Sequence, residues 1–401
     1  MMTLPLASIT VYLLIAALVA ILCRRIRIPY TAGLVVAGIG MAALPMTPHI
    51  ELTHDLIFSV LLPPLLFEGA YDLEWAALRR NLAPVALLAT AGVCVAAAVT
   101  TAGLHWLLGW PVGPALIFGS LTAATDPVSV IAAFKEARAT GRLRVLIEAE
   151  SLFNDGTAAV LFAVVVSWAT GQAQSAVTVG ALLVQSSLGG VLCGIAVAAL
   201  ALLIAGRAED HLVEIAITVV AAYGSFLLAD RLGCSGVLAT ISAGLVLGNL
   251  NPRGAITERG RALIKDVWEF AAFLANSMVF LLIGTREAGQ NFGARWGWAL
   301  VAVGLLVASR AATVYPCALL VSWTRWRVGA GHQFALFWGG LRGALALALA
   351  LSLPAQTPYR EPIVGMTFAV VAFSIFAQGL TMTPLLRRLG EIGPSGRDSV
   401  T

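Results

Sequence analysis

The sequence predicts an all-α polytopic membrane protein of about thirteen transmembrane helices, and three observations predict it. Of 401 residues, 59% are hydrophobic and only 11% are charged, where an ordinary soluble domain carries roughly 25% charged residues. The apolar residues gather into stretches of the ~20 residues that a hydrocarbon core requires. These run near 4–23, 30–46, 53–70, 83–108, 112–134, 143–169, 176–205, 211–229, 233–249, 266–285, 296–322, 332–353 and 362–386. The basic residues divide unequally between alternate loops. With thirteen spans, nineteen fall on one side, the tail included, and four on the other. Cytoplasmic loops are the Lys- and Arg-rich ones, so the N-terminus is expected outside and the C-terminus in the cytoplasm. This balance excludes a soluble domain, a disordered chain and a nucleic-acid binder; the net charge of +4 makes no basic patch.

Taken in order, the spans differ in what interrupts them. The first has no positive region before it and is followed by Arg24, Arg25 and Arg27, which argues for a retained span and against a cleavable signal. The third contains Pro63-Pro64-Leu65-Leu66-Phe67-Glu68, ending on an acid. The fifth contains Thr125-Asp126-Pro127; proline removes a backbone donor and clashes with the preceding turn, so the helix is expected to break near Thr125. The twelfth contains Gly339-Gly340-Leu341-Arg342-Gly343. Interrupted spans in corresponding halves are the pattern of inverted repeats with broken helices at the midplane. Gly190-xxx-Gly194, Gly244-xxx-Gly248 and Gly339-xxx-Gly343 are expected to be close-packing positions. Asn276, in the tenth span, is expected to hydrogen-bond between helices. The stretch after Arg388 is too short for an appended soluble domain. The five cysteines stand singly, without a CxxC or Cys/His cluster, so neither a disulfide frame nor a zinc site is expected.

The informative residues are charges inside apolar spans, each costing roughly 2.5–3.5 kcal/mol on insertion scales. Glu68, Asp126, Glu148, Glu150, Asp155, Arg310 and Arg342 qualify. Glu214 and Glu269 stand nearer span ends, where water can reach them. In Glu150-Ser151-Leu152-Phe153-Asn154-Asp155-Gly156, Ser151 and Asp155 are i and i+4 and share a helix face, with Glu150 and Asn154 on the adjoining strip. Asp155 has no basic residue within a helical turn. Desolvation disfavours its charged form, so it is suited to hold either a proton or a cation. A backbone break beside Asp126 frees carbonyls for a cation, and irregular backbone at membrane depth is tolerated where it lines a cavity. Oxygen ligands of this kind suit hard cations, and so few carboxylates point to a monovalent ion. A buried guanidinium needs a partner. Glu150 is the partner expected for Arg342, while Arg310 is expected to neutralise a helix end or to pair with Glu148. Glu68 either faces the cavity or caps its span.

On Thr125-Asp126-Pro127, the Glu150 to Gly156 segment, Pro63 to Gly69 and Gly340-Leu341-Arg342-Gly343, in that span order, the chain resembles the monovalent cation:proton antiporter superfamily in its sodium/proton exchanger, NhaP-like branch, of bacterial or archaeal type. The resemblance implies inverted repeats with two broken helices crossing at an ion site. It implies a dimerisation domain from 1–82 and 207–292, a core transport bundle from 83–171 and 293–401, and a linking helix at 172–206. By motif match, Asp155 is the ion- and proton-binding carboxylate. Asp126 stands at the crossing, Thr125 and Ser151 supply oxygens to the metal ion, and Glu68 joins through water. Asn154 before Asp155, in place of a second Asp, implies electroneutral exchange of one cation for one proton. Glu150 and Arg342 are implied as a structural ion pair, with Arg310 in a supporting place. A homodimer in the cell membrane is implied, with sodium or lithium and protons as substrates, lipid as surroundings, no cofactor and no enzymatic activity. The long regulatory tail of animal members has no counterpart, so regulation through it is not expected. Potassium/proton exchange on the same fold fits the same residues, and a cation channel also uses midspan acids and polar breaks. An intramembrane hydrolase fits poorly, since His49, His54, His105, His211 and His332 lie in loops or near span ends.

Overall fold

The computed structural model describes residues 6–26, 28–43, 55–136, 141–171, 176–206, 210–250, 254–287 and 296–392. Among these the regular structure is helical throughout. The first spans are α1 (Leu6–Ile26), α2 (Tyr30–Ala42) and α3 (Leu62–Asp72), the last entered through a wider turn at Leu56–Leu61. A short α4 (Trp75–Arg80) precedes a span made of α5 (Leu82–Leu87), a wider turn at Leu88–Gly92 and α6 (Val93–Leu108). The fifth span is broken into α7 (Val112–Leu121) and α8 (Val128–Glu136). Long helices follow: α9 (Arg142–Ala169), α10 (Ala176–Ala205), α11 (His211–Arg231), α12 (Gly236–Asn249), α13 (Glu258–Glu287) and α14 (Trp296–Leu320). The twelfth span is broken into α15 (Ala330–Trp338) and α16 (Ala344–Leu351), and the last joins α17 (Arg360–Phe373) to α18 (Leu380–Arg388).

The described helices therefore group into the thirteen spans that hydropathy predicts, with both breaks where Pro127 and the Gly339–Gly343 run place them. Seven are long and apolar enough to cross a bilayer by length and composition alone; α2, α7 and α12 are shorter apolar helices. The tenth span differs from expectation. Its helix begins at Glu258, before the apolar stretch. An apolar window excludes Glu258, Arg259, Arg261 and Lys265, yet these residues form helix readily and extend it past the hydrocarbon depth. Arg27, Arg138, Arg207, Arg253, Arg295 and Arg397, six of the residues behind the loop asymmetry, lie outside the described residues, as do His49 and His54.

Helix ends follow local chemistry. Gly109 closes α6 at φ 66°, a left-handed position that suits glycine. Asp210 and Ser235 cap α11 and α12 by accepting from Leu212 N–H and Leu238 N–H. Packing joins α2 to α13, where Gly38 and Gly284 let the backbones meet, and α12 to both α3 and α10. Elsewhere α6 packs between α7 and α14, and α17 lies along α14 and α16. The sixth-span helix α9 touches both groups, reaching α7 on one side and α10 and α12 on the other. Two of the glycine pairs are close-packing positions as expected: Gly190 and Gly194 face α12, and Gly244 and Gly248 face α3. The third pair is not simple packing, because Gly343 backs onto the carboxylate of Asp126.

Candidate ion-binding site

The two breaks cross. Asp126 N–H donates to Leu341 C=O at 2.8 Å, tying one unwound segment to the other. The Asp126 carboxylate accepts from Val128 N–H at 2.9 Å, capping α8, and stands against Gly343 at the start of α16. Each helix start carries about half a positive charge and unpaired amides, and one anion answers both. The two midspan arginines meet the opposite ends. Arg342 Nε donates to Thr122 C=O, at the end of α7. Arg310 Nε and Nη2 donate to Leu336 C=O, in the last turn of α15, at 3.0 and 2.8 Å. Close approach is why residues 340 and 343 are glycines: a Cβ at Gly340 would overlap the Arg310 guanidinium, and one at Gly343 the Asp126 carboxylate.

On α9, the face beside the crossing is fully hydrogen-bonded. Thr125 and Ser151 hydroxyls meet at 2.7 Å. The Asn154 side chain accepts from Thr125 N–H at 3.1 Å and donates to Thr125 Oγ1 at 2.6 Å and Glu150 Oε1 at 3.1 Å. Glu150 then forms a two-point ion pair with Arg310, at 2.7 and 2.8 Å. This corrects the expected pairing. Glu150 is held by Arg310 and not by Arg342, and Glu148 meets Arg144 at 3.5 Å and not Arg310. Arg342 donates its second bond to Gly340 C=O and only shares with Glu150 the lining of a void of about 10 Å³. The reason is rotational: α14 turns Arg310 straight onto Glu150, whereas the unwound backbone at 339–343 offers Arg342 free carbonyls to satisfy it.

Asp155 stands apart from this network. Its Oδ1 is shut off from solvent and accepts no hydrogen bond, and it makes no ion pair among the described residues. It opens on a cavity of about 100 Å³ on the side of the crossing where Glu68 and Glu148 stand. One water needs ~10–15 Å³, so a cation with part of its hydration fits. The walls come from α3, the two breaks, α9, α16 and α13, with Glu68, Thr125, Asp126, Glu148, Asp155 and Asn276 as the polar lining. Ser151 is not part of that lining; its hydroxyl stands behind, against Thr125.

The family model described as sodium/hydrogen exchanger, transmembrane, matches residues 13–388. The chain belongs to the sodium/hydrogen exchanger family. It is 39% identical over 369 residues to the Na+/H+ antiporter ApNhaP of Aphanothece halophytica, covering 92% of this chain and 71% of that one. It is 34% identical over 397 residues to the Na+/H+ antiporter NhaP of Pseudomonas aeruginosa, covering 91% and 92%. Among solved structures, the sodium proton antiporter MjNhaP1 from Methanocaldococcus jannaschii shares the fold at a TM-score of 0.76 and 22% identity, over 98% of this chain and all of the other.

Three features of this exchanger were not read from its sequence. Lys135, at the end of α8, reaches Glu68 on α3 at 2.9 Å and Glu269 on α13 at 3.2 Å. Only the distance in sequence, 67 and 134 residues, hid this pairing; a lysine one helix length beyond Asp126 was the available signal. Asn276 bridges no helices among the described residues, where its Oδ1 is buried without a donor. The interhelical bond belongs to its neighbour Ser277, whose hydroxyl meets that of Tyr30 at 2.7 Å. Glu214, near its span end, is buried and not solvated: it accepts from Thr257 N–H and Oγ1, both at 3.1 Å.

Proposed function

We propose that this exchanger moves sodium or lithium against protons, one for one, by competition of cation and proton for Asp155 under alternating access. The observation that carries the proposal is the uncommitted carboxylate. At the crossing, Asp126 is held by the Val128 amide and Glu150 by Arg310, while Asp155 lines the cavity with no partner among the described residues. An unpaired charge is costly to bury. The empty site therefore crosses poorly, and the protonated or cation-filled site crosses readily, which couples the two fluxes without contact between the substrates. A single free carboxylate supports electroneutral stoichiometry. The sodium/proton exchange named for ApNhaP and NhaP supports the same substrates here.

The proposal extends to how the chain moves and where. The broken spans with α5–α6, α9, α14 and α17–α18 form the carrier, residues 83–171 and 293–401. It rocks against a scaffold of 1–82 and 207–292, linked by 172–206, that pairs with a second copy. The protein works in the cell membrane with its N-terminus outside and its C-terminus in the cytoplasm. The Glu150–Arg310 pair lies inside the carrier and travels with it. Lys135 spans the boundary through a part-buried pair with Glu68 and an exposed pair with Glu269; the exposed pair is worth about 0.2–1 kcal/mol, little enough to open in every cycle.

The experiment is reconstitution into liposomes with an interior pH dye and an inward-acid gradient. External sodium or lithium is expected to alkalinise the lumen, and potassium to do so weakly. Response to potassium alone would replace sodium by potassium in the scheme, and gradient collapse without cation accumulation would indicate a channel. Two further results are expected. The rate peaks at intermediate pH, falling in acid because protons occupy Asp155 and in alkali because too few remain to reload it; a rate that changes in one direction across the range refutes the competition. An imposed membrane potential leaves the rate unchanged.

A further inference from the structure

One polar group on the cavity wall has no part in that scheme. Asn276 is on α13, across the cavity from the carrier elements, and lines it together with Asp155. Its Oδ1 is shut off from solvent and accepts no hydrogen bond from the described residues. Leaving a buried amide oxygen unpaired is expensive; the next residue, by contrast, is satisfied, since the Ser277 hydroxyl donates to Phe273 C=O and meets the Tyr30 hydroxyl. Two residues that line one cavity from different helices, Asp155 on α9 and Asn276 on α13, thus each carry a buried oxygen without a partner among the described residues.

We infer that Asn276 is a ligand of the transported cation, supplying a neutral oxygen from α13 to an ion held by Asp155. This deepens the function proposed above and rests on it. The chemistry fits a hard monovalent ion, for which an amide carbonyl is a good ligand. An amide adds no charge, so it leaves the one-for-one exchange unaltered. It also does not titrate between pH 5 and 9, so it strengthens the cation-bound state and does nothing for the protonated one. That is a way to favour a scarce cation over a proton at a shared carboxylate, since discrimination is a difference of affinities. The position matters too. α13 packs along α2, not along α7 or α14, so the ligand belongs to the scaffold and is left behind when the carrier moves. Release on the far side is thereby eased.

The test is sodium dependence of exchange and of thermal stability in the purified, reconstituted protein, for wild type, Asn276→Ala, Asn276→Ser and Asp155→Asn. Asn276→Ala is expected to raise the sodium KM about tenfold, the effect of ~1.4 kcal/mol, with the rate at saturating sodium within about twofold of wild type. The sodium concentration giving half of the stabilisation by the ion shifts by the same factor. Asn276→Ser keeps a shorter-reaching oxygen and a smaller disturbance; its KM is expected between the two, and it carries the test if the alanine protein does not fold. A purely structural role for Asn276 would lower the yield or the maximal rate of the serine variant and leave its KM and its sodium stabilisation at wild-type values; that result overturns the inference. Loss of sodium exchange in the wild type itself overturns the underlying function. Wild-type exchange, lost in Asp155→Asn and unshifted in both Asn276 variants, removes Asn276 alone.

Discussion

Asp155→Asn abolishes exchange and leaves the protein folded. The asparagine keeps the size of the side chain and loses both the proton and the charge that holds a cation. Among the described residues Asp155 is the one carboxylate at the crossing without a partner, so no neighbour stands ready to replace it: Asp126 is engaged by Val128, Glu150 by Arg310, and Glu68 by Lys135. The rate in liposomes is expected to drop at least about a hundredfold, equivalent to ~2.7 kcal/mol of lost binding at the site. Stability moves the other way. An unpaired carboxylate in a dry wall destabilises the fold, and a neutral amide there costs less. The variant is therefore expected to melt at or above the wild-type temperature and to lose the stabilisation that sodium gives the wild type, because a ligand that no longer binds the native state no longer shifts its unfolding. Wild-type exchange in Asp155→Asn would remove Asp155 from its role and the mechanism with it.

Depth in the membrane was legible in the sequence; direction around the helix was not. The thirteen spans, the break at Pro127 and the break at Gly339–Gly343 each follow from one-dimensional signals: a run of apolar residues, a proline beside an acid, clustered glycines. The same signals place Thr125, Asp126, Glu150, Ser151, Asn154, Asp155, Arg310 and Arg342 at similar depth. Within one helix the i, i+4 rule went further, and Glu150 and Asn154 do touch. Between helices it had nothing to say. Arg310 and Arg342 are both midspan, and which of them meets Glu150 depends on how α14 and the unwound twelfth span are rotated. Asn276 and Ser277 differ by one residue, or about 100° of helix. One faces the cavity and the other Tyr30, a choice that only packing of α13 against α2 settles. Lys135 was passed over because the loop tally treats it as one more cytoplasmic charge, whereas its stem carries the ammonium back to Glu68.

Replacing Arg310 by glutamine is expected to destabilise the protein by about 3–5 kcal/mol, the cost of leaving a buried carboxylate without its cation. The pair is nearly inaccessible, with side-chain exposures of 6% for Arg310 and 2% for Glu150. Solvent therefore screens little of the loss. Glu150→Gln alone is costly for the converse reason, although Arg310 then keeps its bonds to Leu336 C=O. Because the penalty comes from an uncompensated charge and not from a missing attraction, removing both charges returns most of it. The double variant Glu150→Gln with Arg310→Gln is expected to be more stable than the Arg310 variant alone. A double-mutant cycle on melting in detergent would then give a coupling of at least about 2 kcal/mol, where independent sites add within ~0.5 kcal/mol. The same cycle at 150 and 342 gives a smaller coupling, since Arg342 spends its donors on Thr122 and Gly340 carbonyls. Its loss loosens the crossing, lowering transport more than it exposes Glu150. Additive effects at 150 and 310 beside strong coupling at 150 and 342 would reverse the assignment and restore the pairing that the motif match implies.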